Sequence, residues 1–154
     1  MREIERITDQ LKRAFLGDAW HGPALMELLE GVTPEQAAAR PLPKAHNIWE
    51  IVLHIAAWKE AVRRRLRGDA VELSPDQDWP RLLDTSEKAW ISALEALKRA
   101  HNQLERTVAD LQDSELPGRV PGKPQEHYTV YYMLHGVIQH DLYHAGQIAL
   151  LKKT

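Results

Sequence analysis

The sequence contains no cysteine. That absence excludes disulfides, thiolate metal ligands, iron–sulfur clusters and cysteine nucleophiles, and leaves histidine and carboxylate for any metal chemistry. An excess of one charge is also missing. A net charge of −2 and a pI near 6.4 give no electrostatic reason to expect nucleic acid or an anionic membrane as a partner. Long apolar runs are absent too. The first twenty residues alternate charges with single apolar residues, unlike a signal peptide, and no later stretch is predicted to span a bilayer. The expected location is the cytoplasm. Phenylalanine occurs once, against five Trp and four Tyr. Such amphipathic rings line sites that need both an apolar wall and a hydrogen bond, and they serve equally as bundle filler.

What the sequence does have is helical periodicity. With 154 residues, 44% hydrophobic and 27% charged, it fits one soluble globular domain, expected over 1–154. The spacing predicts a first helix over about 2–16, with Ile4, Ile7, Leu11, Ala14 and Phe15 on one stripe. A short helical piece from Pro23 to Leu29 follows, and Thr33-Pro34-Glu35-Gln36 reads as the cap of another brief turn. The second main helix is predicted over 47–67, striped by Ile48, Ile51, Ile55, Trp58, Val62 and Leu66 and ended by Gly68. The third is predicted over 84–111, with Ala89, Leu94, Leu97, Leu104, Val108 and Leu111 as its apolar side. After a Pro- and Gly-rich loop, the last runs over 129–152 with Met133, Val137, Ile148 and Leu151 inward. The fold class is therefore all-α: a four-helix bundle with an extra short helix between the first two main helices. The connection over 68–81 is long for a hairpin and would suit a crossover; sequence alone leaves the topology open.

Eight histidines remain to be placed. His140 and His144 lie one turn apart, about 40° around the last helix, on the face that carries Met133, Val137 and Ile148. Two imidazoles on an apolar face are costly unless something satisfies them. A shared metal ion would do so, and a pair of hydrogen-bonded bundle histidines is the alternative. His54 sits mid-way along the second helix at the flank of its stripe, where ligands from two helices converge. His135, about 140° from His140, should face away. His101 is expected on the polar side of the third helix. His21, His46 and His127 fall in or beside loops, with His46 and His127 as candidate rim groups.

The segments WEIVLHIAAW (Trp49 to Trp58) and HGVIQHDLYHAGQIALLKK (His135 to Lys153) resemble the DinB-like superfamily, also called the DinB/YfiT-like metalloenzyme fold. The resemblance extends to the order and length of the helices and to the early GDAWHGPALMELLEGVTPEQAAARP segment. It implies that His54, His140 and His144 together hold a divalent metal, with Zn²⁺, Ni²⁺ and Fe²⁺ all suited to three imidazoles. It also implies a homodimer, and a small-molecule substrate such as a low-molecular-weight thiol. The superfamily includes bacillithiol transferases and mycothiol-dependent maleylpyruvate isomerases.

The leading functional expectation is thus a metal-dependent enzyme such as a thiol S-transferase. A metal-dependent hydrolase and a non-enzymatic, metal-stabilised stress-response or ligand-binding bundle are the alternatives. A metal lowers the pKa of a bound thiol or water, and with no cysteine here the thiol would arrive as a cosubstrate. Gly136, one turn before His140, would leave room for it, or else mark a close helix contact. Glu50 and Gln147 are weaker catalytic candidates: Glu50 to orient His54 or act as a base, Gln147 to bond a metal-held water. Ordinary roles as a salt-bridge residue and a polar face residue are favoured for these two. Gly146 would mark a close helix contact within or between chains. The run Arg63-Arg64-Arg65-Leu66-Arg67 lies at a helix C-terminus, where cations are favoured without nucleic acid.

Overall fold

Three of the four long helices begin where the sequence supplies a side-chain oxygen to a free backbone N–H. Asn47 accepts from the N–H of Glu50, Ser86 from that of Ala89 and Thr129 from that of Tyr132. The first helix lacks such a residue and is capped from afar: the carboxylate of Asp113 accepts from the N–H groups of Glu3 and Ile4 at 3.0 and 2.9 Å. The computed structural model describes residues 1–154. Its helices are α1 (Glu3–Phe15), α2 (Leu25–Leu29), α3 (Pro34–Ala38), α4 (Ile48–Leu66), α5 (Pro75–Asp78), α6 (Glu87–Ala109) and α7 (Val130–Leu151), with a 3₁₀ turn at Asp113–Glu115. No strand forms, so the all-helical expectation holds. The segment between the first two main helices carries two short helices, α2 and α3, and the long connection carries a third, α5. No helix is long and apolar enough to cross a membrane.

Around the bundle the order is α1, α6, α4, α7, so α1 faces α4 across one diagonal and α6 faces α7 across the other. Two hydrophobic clusters fill the interior, one towards each end. The first joins the start of α4 (Ile48 to Ile55), the start of α6 (Trp90 to Leu97) and the end of α7 (Ala145 to Leu151) with Phe15, Leu25 and Leu29. The second joins Ile4 to Ala14, Val62, Leu104 to Leu111 and Met133 to Ile138. It follows that α4 and α6 run the same way, opposite to α1 and α7.

Parallel neighbours cannot be joined by a tight turn. After Gly68, whose φ of 98° turns the chain out of α4, the connection must travel back along the bundle before α6 can start. That return is why the segment is long, and it resolves the topology as a bundle with a crossover. On its way it passes over the middle of α4.

The basic run at the end of α4 is absorbed locally. Arg63 pairs with Glu60, and Arg64 with Asp69. Arg65 is buried, donating to the carbonyl of Val71 and the hydroxyl of Tyr128.

Candidate metal centre

Between the two hydrophobic clusters, three imidazoles meet. His54 comes from the middle of α4 and His140 and His144 from successive turns of α7, and one ring nitrogen of each lies within 4.8 Å of the other two. The Nε2 of His140 is 3.0 Å from that of His54 and 3.2 Å from that of His144. These separations approach the edge, about 3.3 Å, of a tetrahedron with metal–nitrogen bonds of 2.0–2.1 Å.

The opposite ring nitrogens are tied back. Nδ1–H of His54 donates to the backbone carbonyl of Asp78 at 2.7 Å, with the Asp78 carboxylate at 3.1 Å. Nδ1–H of His144 donates to Oε1 of Gln147 at 2.7 Å. Both bonds fix the tautomer that leaves an Nε2 lone pair aimed inward. Burial pushes the pKa of His54 and His144 down, and that of His140 down to about 3, so all three rings are neutral at pH 7. His140 can offer one N–H to only one of its neighbours, and its own Nδ1 is buried without a partner. At least one inward lone pair therefore lacks a donor, which a cation would satisfy. The cluster is compatible with a metal site.

The crossover completes this region. Trp79, just past α5, stacks face to face on His54 with centroids 3.8 Å apart, and His46 stacks on its other side at 3.5 Å. Trp58, one turn after His54, donates its indole N–H to the Asp78 carboxylate at 2.7 Å. A cavity of about 490 Å³ opens beside the three histidines, with Trp58, Tyr132, Val137 and Gly136 in its wall.

Sequence reasoning missed Asp78 and Trp79. The one available signal was a large aromatic, Trp79, set between Asp78 and Pro80 in the connection. Gln147 bonds the His144 ring itself. Glu50 lies elsewhere: it pairs with Arg40 and His46 and accepts from the N–H of Asn47, and no bond reaches His54. Gly136 is not a close helix contact, since a Cβ there would meet nothing within 4 Å, and the same holds for Gly146 within this chain.

The expectation for His101 is overturned. It is fully buried and stacks on Phe15 with centroids 3.7 Å apart. It stands one turn after Leu97 in the stripe Trp90, Ala93, Leu97, His101, Leu104, Val108, and the ring of Phe15 covers it. Burial pushes its pKa down to about 3, helped by the charges of Lys59 and Lys12. His21, His46 and His127 are exposed, and His135 is half-buried against Tyr131.

A second polar group was also missed. Lys59 and Asp141 are both fully buried and joined at 2.6 Å, linking α4 to α7 in the residue after His140. Burial pushes the Asp141 carboxyl up, against the pull of the ammonium. Each stands in the apolar register of its helix, Lys59 one turn from Ile55 and Asp141 one turn from Val137 and Ala145. An opposite-charge pair in two inward stripes was the signal.

A crossover four-helix bundle with a three-histidine cluster facing a cavity defines the class of this protein. Residues 19–148 match the DinB superfamily, and the chain belongs to it. No curated protein and no solved structure gave a match.

Proposed function

We propose that His54, His140 and His144 hold a divalent metal through their Nε2 atoms, and that the protein is a metal-dependent enzyme acting on a small molecule. The observation that carries this reading is the inward convergence of three neutral imidazoles, two of them locked from behind by Asp78 and Gln147. A divalent ion bound there lowers the pKa of an incoming thiol or water and so supplies an anionic nucleophile near neutral pH. The chain's contribution is to orient the imidazoles and to wall the site. Trp79 covers His54, and its stacking between two histidines limits water on that side. The lining of the cavity holds no serine, threonine, lysine or cysteine, and its one carboxylate, Asp78, is engaged by Trp58 and His54, so a nucleophile from outside the chain fits this site best.

Thiol S-transfer is the form of this activity that we favour, with a low-molecular-weight thiol as cosubstrate. Hydrolysis would use the same ligands. A purely structural metal fits less well, because the site opens on a cavity. The test is conjugation of monochlorobimane by the Zn²⁺-, Ni²⁺- or Fe²⁺-loaded protein with bacillithiol or another cellular thiol. Metal-dependent conjugation abolished by His144→Ala is expected. Absence of conjugation with every common thiol, alongside metal-dependent ester hydrolysis, would replace transfer by hydrolysis.

A further inference from the structure

Gly136 lies inside α7, where glycine costs about 1 kcal/mol relative to alanine. Neither of the usual reasons for a glycine applies. Its backbone is not in the left-handed region, and an added Cβ would meet nothing within 4 Å. The space it leaves belongs to the cavity beside His140, whose walls are Trp58, Tyr132, Met133, Val137 and Tyr143.

The charge of that wall is as telling as its shape. No lysine or arginine lines the cavity. Arg65, the cation behind Trp58, is buried and turned to Val71 and Tyr128. The one ionisable carboxylate, Asp78, is occupied by the Trp58 indole and faces His54. An anionic group away from the imidazoles would have no partner, and a cationic one would confront any metal they hold. Tyr132 and Tyr143, about half and two-thirds exposed, set flat rings at the mouth. A cavity of about 490 Å³ with aromatic walls lies in the range of small-molecule sites.

We propose that this cavity receives the uncharged aromatic body of a small molecule, seated in the space left by Gly136. Placing that molecule's reacting head at the three histidines rests on the metal reading; the seat of its body does not.

The test loads the full chain with Co²⁺ and titrates the thiolate-to-cobalt absorption band with three thiols. These are benzyl mercaptan (uncharged, aromatic), 2-mercaptoethanesulfonate (anionic) and thiocholine (cationic). Benzyl mercaptan is expected to bind about tenfold or more tightly than either charged thiol, as burial of one ring provides. Gly136→Leu should remove that advantage while Co²⁺ stoichiometry stays unchanged. A charged thiol binding as tightly, or an unchanged benzyl mercaptan affinity in a folded Gly136→Leu variant, would overturn the proposal. The ranking needs no substitution, so it decides even if the leucine variant does not fold. Should Co²⁺ not bind, the metal reading fails by itself, and N-phenyl-1-naphthylamine fluorescence on the metal-free chain then decides for the cavity. Binding weakened about tenfold by Gly136→Leu supports it, and no binding, or equal binding, overturns it.

Discussion

His54, His140 and His144 converge on the side of α4 and α7 that faces the crossover, whereas Lys59 and Asp141, on the same two helices, sit near Phe15 of α1. Both groups break the apolar interior between the two hydrophobic clusters. The first is neutral, open to a cavity and hydrogen-bonded from outside by Asp78 and Gln147. The second is charged, sealed and self-contained, with one oxygen of Asp141 left unpartnered. Lys59 and Asp141 answer each other directly across the two helices, whereas the three inward Nε2 atoms share too few protons to satisfy one another. The contrast separates a closed pair, sealed from solvent, from a cluster that opens on a cavity with lone pairs to offer.

The largest expected effect breaks this contrast at the histidines. His144→Ala, or either other single substitution, should abolish stoichiometric Zn²⁺ binding in isothermal titration, with little loss of melting temperature in the metal-free protein. A metal-free protein strongly destabilised by the loss would instead make these histidines structural. At the other group the outcome should reverse. Lys59→Met alone leaves a buried carboxylate and should cost about 3–5 kcal/mol in urea unfolding, most of it recovered by adding Asp141→Leu. No recovery in the double variant would mean that the pair is needed for more than charge balance.

How far the sequence foretold this contrast depends on periodicity. The four long helices were legible to within about three residues, because their caps and stripes are local signals. His140 and His144 were legible as a pair for the same reason, while His54 joined them through the family resemblance. Contacts made by the crossover were not legible. Asp78 and Trp79 reach His54 only because α4 and α6 are parallel and the chain must return between them. The misplacement of His101 has a similar origin: its burial depends on Phe15 lying across it from α1, which the pattern of α6 alone does not encode.

Smaller effects sharpen the comparison. Gln147→Leu and Trp58→Phe remove bonds behind the imidazoles, one to His144 and one through Asp78 to His54. Each should weaken Zn²⁺ binding about 10- to 100-fold, read by competition with a chromophoric chelator, without changing stoichiometry. An unchanged affinity in both would show that the outer bonds do not orient the rings.

An effect of similar size concerns acid. His101 stays neutral in the fold down to about pH 3, while the unfolded chain takes up a proton below about 6.5. Unfolding therefore binds a proton between those values, and stability falls as pH drops through that window. His101→Phe should flatten part of that fall, by roughly 2 kcal/mol at pH 5 relative to pH 7.5. Parallel stability–pH curves for the two proteins would contradict a neutral, buried His101.

The most direct test of the three-histidine site is X-ray absorption at the metal edge of protein carrying one Zn²⁺ per chain. The proposed site predicts three imidazole nitrogens at about 2.0–2.1 Å with at least one further light atom from solvent. That signature should be lost in His54→Ala. A spectrum with fewer than three imidazoles, or one unchanged by that substitution, would contradict it.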